Sequence, residues 1–246
     1  MTAVLARRGS FGALPDYGGI GRNLREQARF SYLYPAEWMK SSWEPWLPYY
    51  EQERGLVWKR QDGGDPLPYG HFRQRLLATH PGTAIDPASD IAAEGTLHEF
   101  EYVLPRWRHN GAPVAFVGYV FVREGSCFQE TLRDVGELWI GGEGRYGFGR
   151  LRQATELKDD MSDCFGVRLD LNREDPIVQN SSFVWAHALP RPDSIKAGAW
   201  EVVLGWDRGS LFSVALEGPC WAPGSRSVET ASFRILDSGF WEQVTP

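Results

Sequence analysis

The chain has 246 residues, 42% hydrophobic and 13% aromatic, which is enough to bury a substantial core without disulfides. Its formal net charge of -6 excludes a bulk field able to hold a polyanion, so any nucleic-acid contact must be local. The 27 glycines and 16 prolines argue against a helical bundle and for short strands joined by turns, an α+β chain rich in strand.

Taken in order, "TAVLARR" alternates and reads as a strand from Thr2 to Arg8, and "GALPDYGGIG" behind it reads as a glycine-punctuated loop. Residues Tyr32 to Glu53 are crowded with tryptophan, tyrosine and proline, too interrupted for a regular element, and are expected to form an ordered aromatic insertion. "GLVWKR", Gly55 to Arg60, is a short strand, and "DGGD", Asp62 to Asp65, is a turn. In "PLPYGHFRQRLLATHPG", Phe72, Leu76 and Leu77 line one face of a helix ended by Pro81 and Gly82, with Arg73 and Arg75 on the other face. Thr83 to Leu97 is loop-like.

The pattern then sharpens. "HEFEYVLP" alternates, "RWRHNGA" turns, and Pro113 to Val122 is a longer strand, so a hairpin is expected. Ser126 is placed to cap a helix whose Phe128, Leu132 and Val135 recur at helical spacing, with Glu130 in its first turn. A glycine loop and the strand "GRLRQATEL" follow. Counting from Gly55, the order is βαββαβ, that of a ferredoxin-like, RRM-like core. Lys158 to Pro246 holds four strand candidates, "SFVWAHALP", "WEVVLGWD", "SLFSVALEG" and "SVETASFRIL", with no convincing long helix. The expected division is therefore a ferredoxin-like domain over 1–157 with an insertion at about 32–53, and a strand-rich extension or degenerate second domain over 158–246.

Within "IGGEGRYGFGR", Gly141, Gly142, Gly144, Gly147 and Gly149 are more glycine than a tight turn needs. They let backbone approach a ligand and aim its N–H groups outward, which suits phosphate. Arg145 and Arg150 add charge, and Tyr146 and Phe148 add faces for stacking on bases. The spacing fits neither a dinucleotide fingerprint nor a P-loop, because the loop follows a helix and opens a strand. No cofactor is expected.

"GELWIGGEGRYGFGRLR" resembles the signature of the RAMP superfamily of CRISPR-associated proteins, where a glycine-rich loop with basic and aromatic residues closes a ferredoxin-like domain. "HPGTAIDPASDIAAEGTLHEFEYVLP" is similar to the segment before the central hairpin in type III backbone subunits, and "DGGDPLPYGHFRQRLL" to the family's entry into its first helix. The resemblance covers about Asp62 to Thr155. It implies an antiviral ribonucleoprotein subunit that holds guide RNA and meets other effector subunits and target RNA. The mid-chain position of the loop, with a strand-rich tail, looks more like the subunit that caps the guide's 5′ repeat-derived end than like a filament subunit. The RNA-binding set it implies is the loop from Gly141 to Arg150 with Arg73 and Arg75.

Family members also include ribonucleases, so chemistry must be weighed. His71, His80 and His98 are the candidates for metal-independent cleavage, and Asp16, Asp86 and Asp90 for an acidic residue in a mobile loop. Asp159, Asp160 and Asp163 in "KDDMSDC" could hold magnesium, although a solvated turn explains them more cheaply, and no metal site is expected. A catalytic set is not legible. Trp38, Trp43 and Trp46 are divided between core and interface, while Trp200 and Trp206 are expected in core. Cys127, Cys164 and Cys220 lack a Cys-x-x-Cys pair and suit reduced thiols. The N-terminal apolar run is too short for a signal peptide and no run reaches a membrane span, so a cytoplasmic protein without a membrane partner is expected. A non-catalytic RNA-binding subunit is the leading expectation, with a guide-processing or target-cleaving ribonuclease and a protein-only scaffold as alternatives.

Overall fold

The structure, a computed structural model, describes residues 16–159, 162–190, 195–207, 210–214 and 218–244. It is α+β with mostly antiparallel pairing. The strand expected at Thr2 to Arg8 and residue Asp160 lie outside the described residues, as does the side chain of Trp206.

The segment read as a loop from Gly12 opens instead into a helix, Tyr17–Gln27, whose N-terminus Asp16 caps by accepting from the Gly19 amide at 2.8 Å. Glycines weaken a helix. Here tertiary packing overrides them: Leu24 is buried with Ala28, Phe128 and Leu132, and Ile20 packs beside them.

A larger correction falls on Tyr32 to Glu53. This segment forms two regular strands, Tyr34–Met39 and Ser42–Glu51, joined by a tight turn at Lys40 and packed into a five-stranded sheet with Gly55–Arg60, Leu67–Pro68 and Ala115–Val117. The prolines are tolerated because the long strand changes partner along its length. Ser42 to Pro45 pair with Tyr34–Met39, whereas Trp46 to Glu51 pair with Gly55–Arg60. The other edge of each half takes a single backbone bond, the Gln61 amide on the Pro45 carbonyl and the Tyr50 amide on the Gly224 carbonyl, and neither asks a proline for an N–H.

The helix at Tyr69–Leu76 buries Phe72 and Leu76, and Phe72 stacks on Trp58 at 4.2 Å and 5° in a cluster with Trp46 and Trp107. It ends earlier than expected. Leu77 begins a strand, Leu77–Gly82, that takes Pro81 and Gly82 with it and pairs with His98–Val103. Thr83 to Leu97 carries only a miniature hairpin, Ile85–Asp86 with Ile91–Ala92.

The expected hairpin between "HEFEYVLP" and Pro113 to Val122 reduces to one bridge, Arg106 to Pro113. The second strand splits into Ala115–Val117, which pairs with Tyr34–Met39, and Val120–Val122, which pairs with Ala28–Phe30. The helix Phe128–Arg133 forms where expected, with Phe128 and Leu132 buried and the Phe128 amide donating to Ser126 Oγ at 3.1 Å. The expected βαββαβ order is interrupted by further short strands, and its four strands do not form one core sheet: Gly55–Arg60 and Ala115–Val117 share the five-stranded sheet without pairing, while His98–Val103 and Arg150–Arg152 pair elsewhere among the described residues.

The C-terminal part builds a six-stranded sheet in which Ile177–Phe183 and Arg226–Ile235 are the central pair. "SVETASFRIL" lies within the latter strand up to Ile235, while "SFVWAHALP" ends its strand at Phe183 and "WEVVLGWD" divides into Trp200–Glu201 and Leu204–Asp207. The main core draws on both sides of residue 157: Tyr34 and Leu47 are buried with Cys164, Val178, Trp185, Phe233 and Trp241, and the Tyr34 hydroxyl donates to the Trp185 carbonyl at 2.7 Å. Trp200, expected in core, is half exposed with its ring on Trp221 at 3.8 Å.

Candidate nucleic-acid interface

The glycine loop does not join helix to strand directly. A short strand, Glu137–Trp139, intervenes, and the loop closes a hairpin with Arg150–Arg152. The Ile140 amide donates to the Gly149 carbonyl at 3.0 Å, and one turn of 3-10 helix, Gly144–Tyr146, tightens the tip.

Conformation accounts for three of the five glycines. Gly141, Gly147 and Gly149 have φ of +76°, +84° and +75°, the left-handed region that side chains disfavour. Gly149 is also flush against the chain, since a Cβ there would lie 1.9 Å from the Ile140 carbonyl oxygen. Gly142 and Gly144 are different. Neither has a positive φ, and a Cβ on either would meet nothing within 4 Å. What their lack of a side chain provides is bare backbone: the amides of Gly141, Gly142, Glu143, Gly144 and Arg145 have no internal hydrogen-bond partner among the described residues. Five successive donors in an exposed loop are thus left to external acceptors.

The flanking side chains divide in the same way. Tyr146 is 71% exposed, and Arg145 is exposed with no ion-pair partner among the described residues. Phe148 turns inward, its ring 5.0 Å from both Phe100 and Tyr102 and 5.9 Å from His80. It fastens the loop to the neighbouring hairpin Leu77–Gly82 with His98–Val103. Arg150 donates to Glu137 Oε1 at 2.6 Å and lies 5.9 Å from the centre of the Trp139 indole. Arg73 is held by Glu101 and by the Tyr69 hydroxyl. Because Glu101 alternates with Phe100 and Tyr102 along its strand, Arg73 sits on the far side of that hairpin from Phe148. Arg75 is partly buried, and its carbonyl accepts from the Arg108 amide at 3.0 Å.

Among the candidates for chemistry, the structure brings only His80 to the loop, as an exposed imidazole against Phe100 and Phe148. His71 is exposed on its helix, and His98 Nδ1 is 3.0 Å from the Thr96 carbonyl. The Asp86 carboxylate accepts from the Ser89 hydroxyl at 2.6 Å and the Ala88 amide at 3.0 Å, and these bonds hold its pKa below the usual range. Asp90 sits in the same turn at φ +55°, and Asp16 caps its helix. Asp159 pairs with Arg133 at 2.7 Å, and Asp163 accepts from the Gly166 amide at 2.9 Å. No group of three or more potential metal ligands occurs among the described residues.

Two polar centres were not legible in the sequence, because their members are far apart in it. Glu37 is 2% exposed and accepts from Trp46, Arg60 and Asn110 at 3.1 to 3.2 Å, with His109 Nε2 at 3.1 Å. Tyr32, His187 and Glu201 form a chain, phenol to Nδ1 at 2.6 Å and Nε2 to carboxylate at 2.8 Å. Burial pushes the Tyr32 pKa up to about 12, and its hydroxyl shares a hydrogen bond with His187 Nδ1. Both imidazole nitrogens are thereby engaged, which makes this a clamp between distant segments.

No protein-family model and no curated protein matches the sequence. Solved chains of similar fold include the following two. A chain in the cryo-EM structure of the Type III-B Cmr-beta complex bound to cognate target RNA and AMPPnP aligns with a TM-score of 0.53 and 14% identity, over 92% of this chain and 74% of that one. A chain of Cmr-beta bound to cognate target RNA aligns with a TM-score of 0.50 and 14% identity, over 90% of this chain and 69% of that one. The fold therefore resembles that of these Type III-B Cmr-beta chains. No described helix is long and apolar enough to cross a membrane, which says nothing of a β-barrel.

Proposed function

We propose that this chain is a non-catalytic RNA-binding subunit of a type III CRISPR ribonucleoprotein, of the RAMP kind, that holds guide RNA at the glycine loop and packs on neighbouring subunits. The observation that carries the reading is the run of five amides from Gly141 to Arg145 that, like the Arg145 guanidinium beside them, have no partner among the described residues. Such a loop binds backbone phosphate and leaves sequence readout to guide pairing. Tyr146 and Arg150 extend the binding surface, Phe148 positions the loop, and Arg73 and Arg75 offer a second basic point. The RNA held is the repeat-derived 5′ end, and the work is done in the cytoplasm. In this reading residues 1–157 are an elaborated ferredoxin-like domain whose strands have exchanged partners, and 158–246 are its extension.

The test is to purify the tagged full chain from its own host and run the co-purifying nucleic acid on a denaturing gel. Discrete RNA of guide length, arriving with other protein bands, is expected. A folded protein without RNA would overturn the reading, and assembly that survives nuclease and high salt would favour a protein-only scaffold. The ribonuclease alternative has its one foothold at His80, beside the loop. Under the RNA-holding reading, His80→Ala leaves the length of bound RNA unchanged, whereas longer, uncut RNA in the variant would make His80 catalytic.

A further inference from the structure

The strands beneath the glycine loop present a face that the loop itself does not use. Cross-strand partners share a side, so Trp139 with Arg150, and Glu137 with Arg152, all lie on one face, while Leu138 and Leu151 lie on the other. The leucines are partly buried, which turns the Trp139 face outward. Trp139 is 51% exposed, and the one ring interaction it makes among the described residues is with the Arg150 guanidinium. Glu137 holds that guanidinium in place, and Arg152 has no ion-pair partner among the described residues.

From this arrangement we infer that Trp139 is a stacking platform for one unpaired base of single-stranded RNA, with Arg152 on an adjoining phosphate. The inference rests on the reading of the glycine loop as an RNA contact and adds to it a base-binding subsite and two residues. The charge pattern selects the ligand. Arg150 is already neutralised by Glu137, so the centre of the face is an aromatic surface without net charge, suited to a base. Free cations stand at its two ends, Arg145 in the loop and Arg152 on the strand, suited to the phosphates that flank that base. A different arginine-rich surface shows what a face unsuited to phosphate looks like. The open groove of about 510 Å³ beside the Tyr17–Gln27 helix has Arg22, Arg25, Arg29 and Arg123, but it also has Glu26, Glu174, Asp175 and Asp237, with Arg29 on Asp175 and Arg123 on Glu174.

The experiment is fluorescence anisotropy of the full chain with a labelled, unstructured 12-nucleotide RNA, and with a set of the same RNA bearing one abasic site at each position in turn. Trp139→Ala is expected to weaken binding about tenfold and Trp139→Phe much less, since stacking tolerates any aromatic ring. One abasic position is expected to weaken wild-type binding by a similar factor and to cost nothing further in Trp139→Ala. An unchanged affinity in a folded Trp139→Ala variant, or an abasic penalty that persists in it, would overturn the platform while leaving the loop reading intact. Wild-type protein that binds none of these RNAs would overturn both.

Discussion

The hairpin of Tyr34–Met39 with Ser42–Glu51 and the hairpin of Glu137–Trp139 with Arg150–Arg152 use similar ingredients, antiparallel strands carrying tryptophan, arginine and glutamate, and finish in opposite states. In the first, polar groups turn inward and are satisfied: Glu37 is buried beneath donors from four residues, and Arg60 caps it while lying over Trp46. In the second, the acid and the arginine face solvent, and the loop above them leaves five amides unpaired among the described residues. Buried polar groups that were left unpaired would cost stability, so the first hairpin is read as scaffold. Unpaired donors in an exposed loop cost nothing until a ligand arrives, so the second is read as interface.

The largest expected break of this contrast is in the scaffold. Glu37→Ala removes the carboxylate from beneath Arg60 and His109, leaves the buried Trp46 indole N–H without its acceptor, and should destabilise the fold by about 2–3 kcal/mol. Urea unfolding measures it, and a loss below about 1 kcal/mol would put Glu37 with ordinary surface charges. Next comes a comparison inside the loop. Gly149→Ala should cost about 1–3 kcal/mol, because its φ of +75° and the Ile140 carbonyl both oppose a side chain, whereas Gly142→Ala should cost almost nothing. Equal costs at the two positions would remove the distinction between glycines that shape the loop and glycines that bare it.

Arg145→Ala with Arg152→Ala should leave unfolding unchanged, weaken RNA binding about tenfold, and reduce the slope of log affinity against log salt by about 2, one for each phosphate that goes without its arginine. An unaltered slope would take both arginines off the phosphates. The smallest effect is at the clamp. Tyr32→Phe should cost about 1 kcal/mol for its hydrogen bond to His187. Its signature is in alkali. Burial raises the folded pKa of Tyr32 to about 12, above the unfolded value of about 10. The stability this contributes is whole below pH 10 and is lost as pH rises through the interval to about 12. The phenylalanine variant should lose less stability than wild type across that interval, and parallel pH profiles would show that the phenol does not titrate there.

What could be read without coordinates was local. The helix at Phe128 follows from its spacing and the serine before it, the strand at Gly55 from its composition, and the glycine loop from an excess that no turn requires. The misread elements share one cause. The helix at Tyr17 carries three glycines and stands because Leu24 finds Phe128 and Leu132, more than 100 positions away. The strand from Ser42 carries two prolines and stands because its two halves pair with different neighbours.

By itself, the amino-acid order determined that this is an α+β chain with a localised, glycine-bared basic loop, because composition, alternation and turn chemistry act over a few residues. Only the tertiary structure decided which strands pair, that Phe148 fastens the loop while Trp139 stays open, and that Glu37 becomes a buried and Tyr32 a half-buried hydrogen-bond centre. Those outcomes depend on packing between segments distant in the chain, and no short-range pattern encodes which distant partner will satisfy a buried donor or cover an apolar ring.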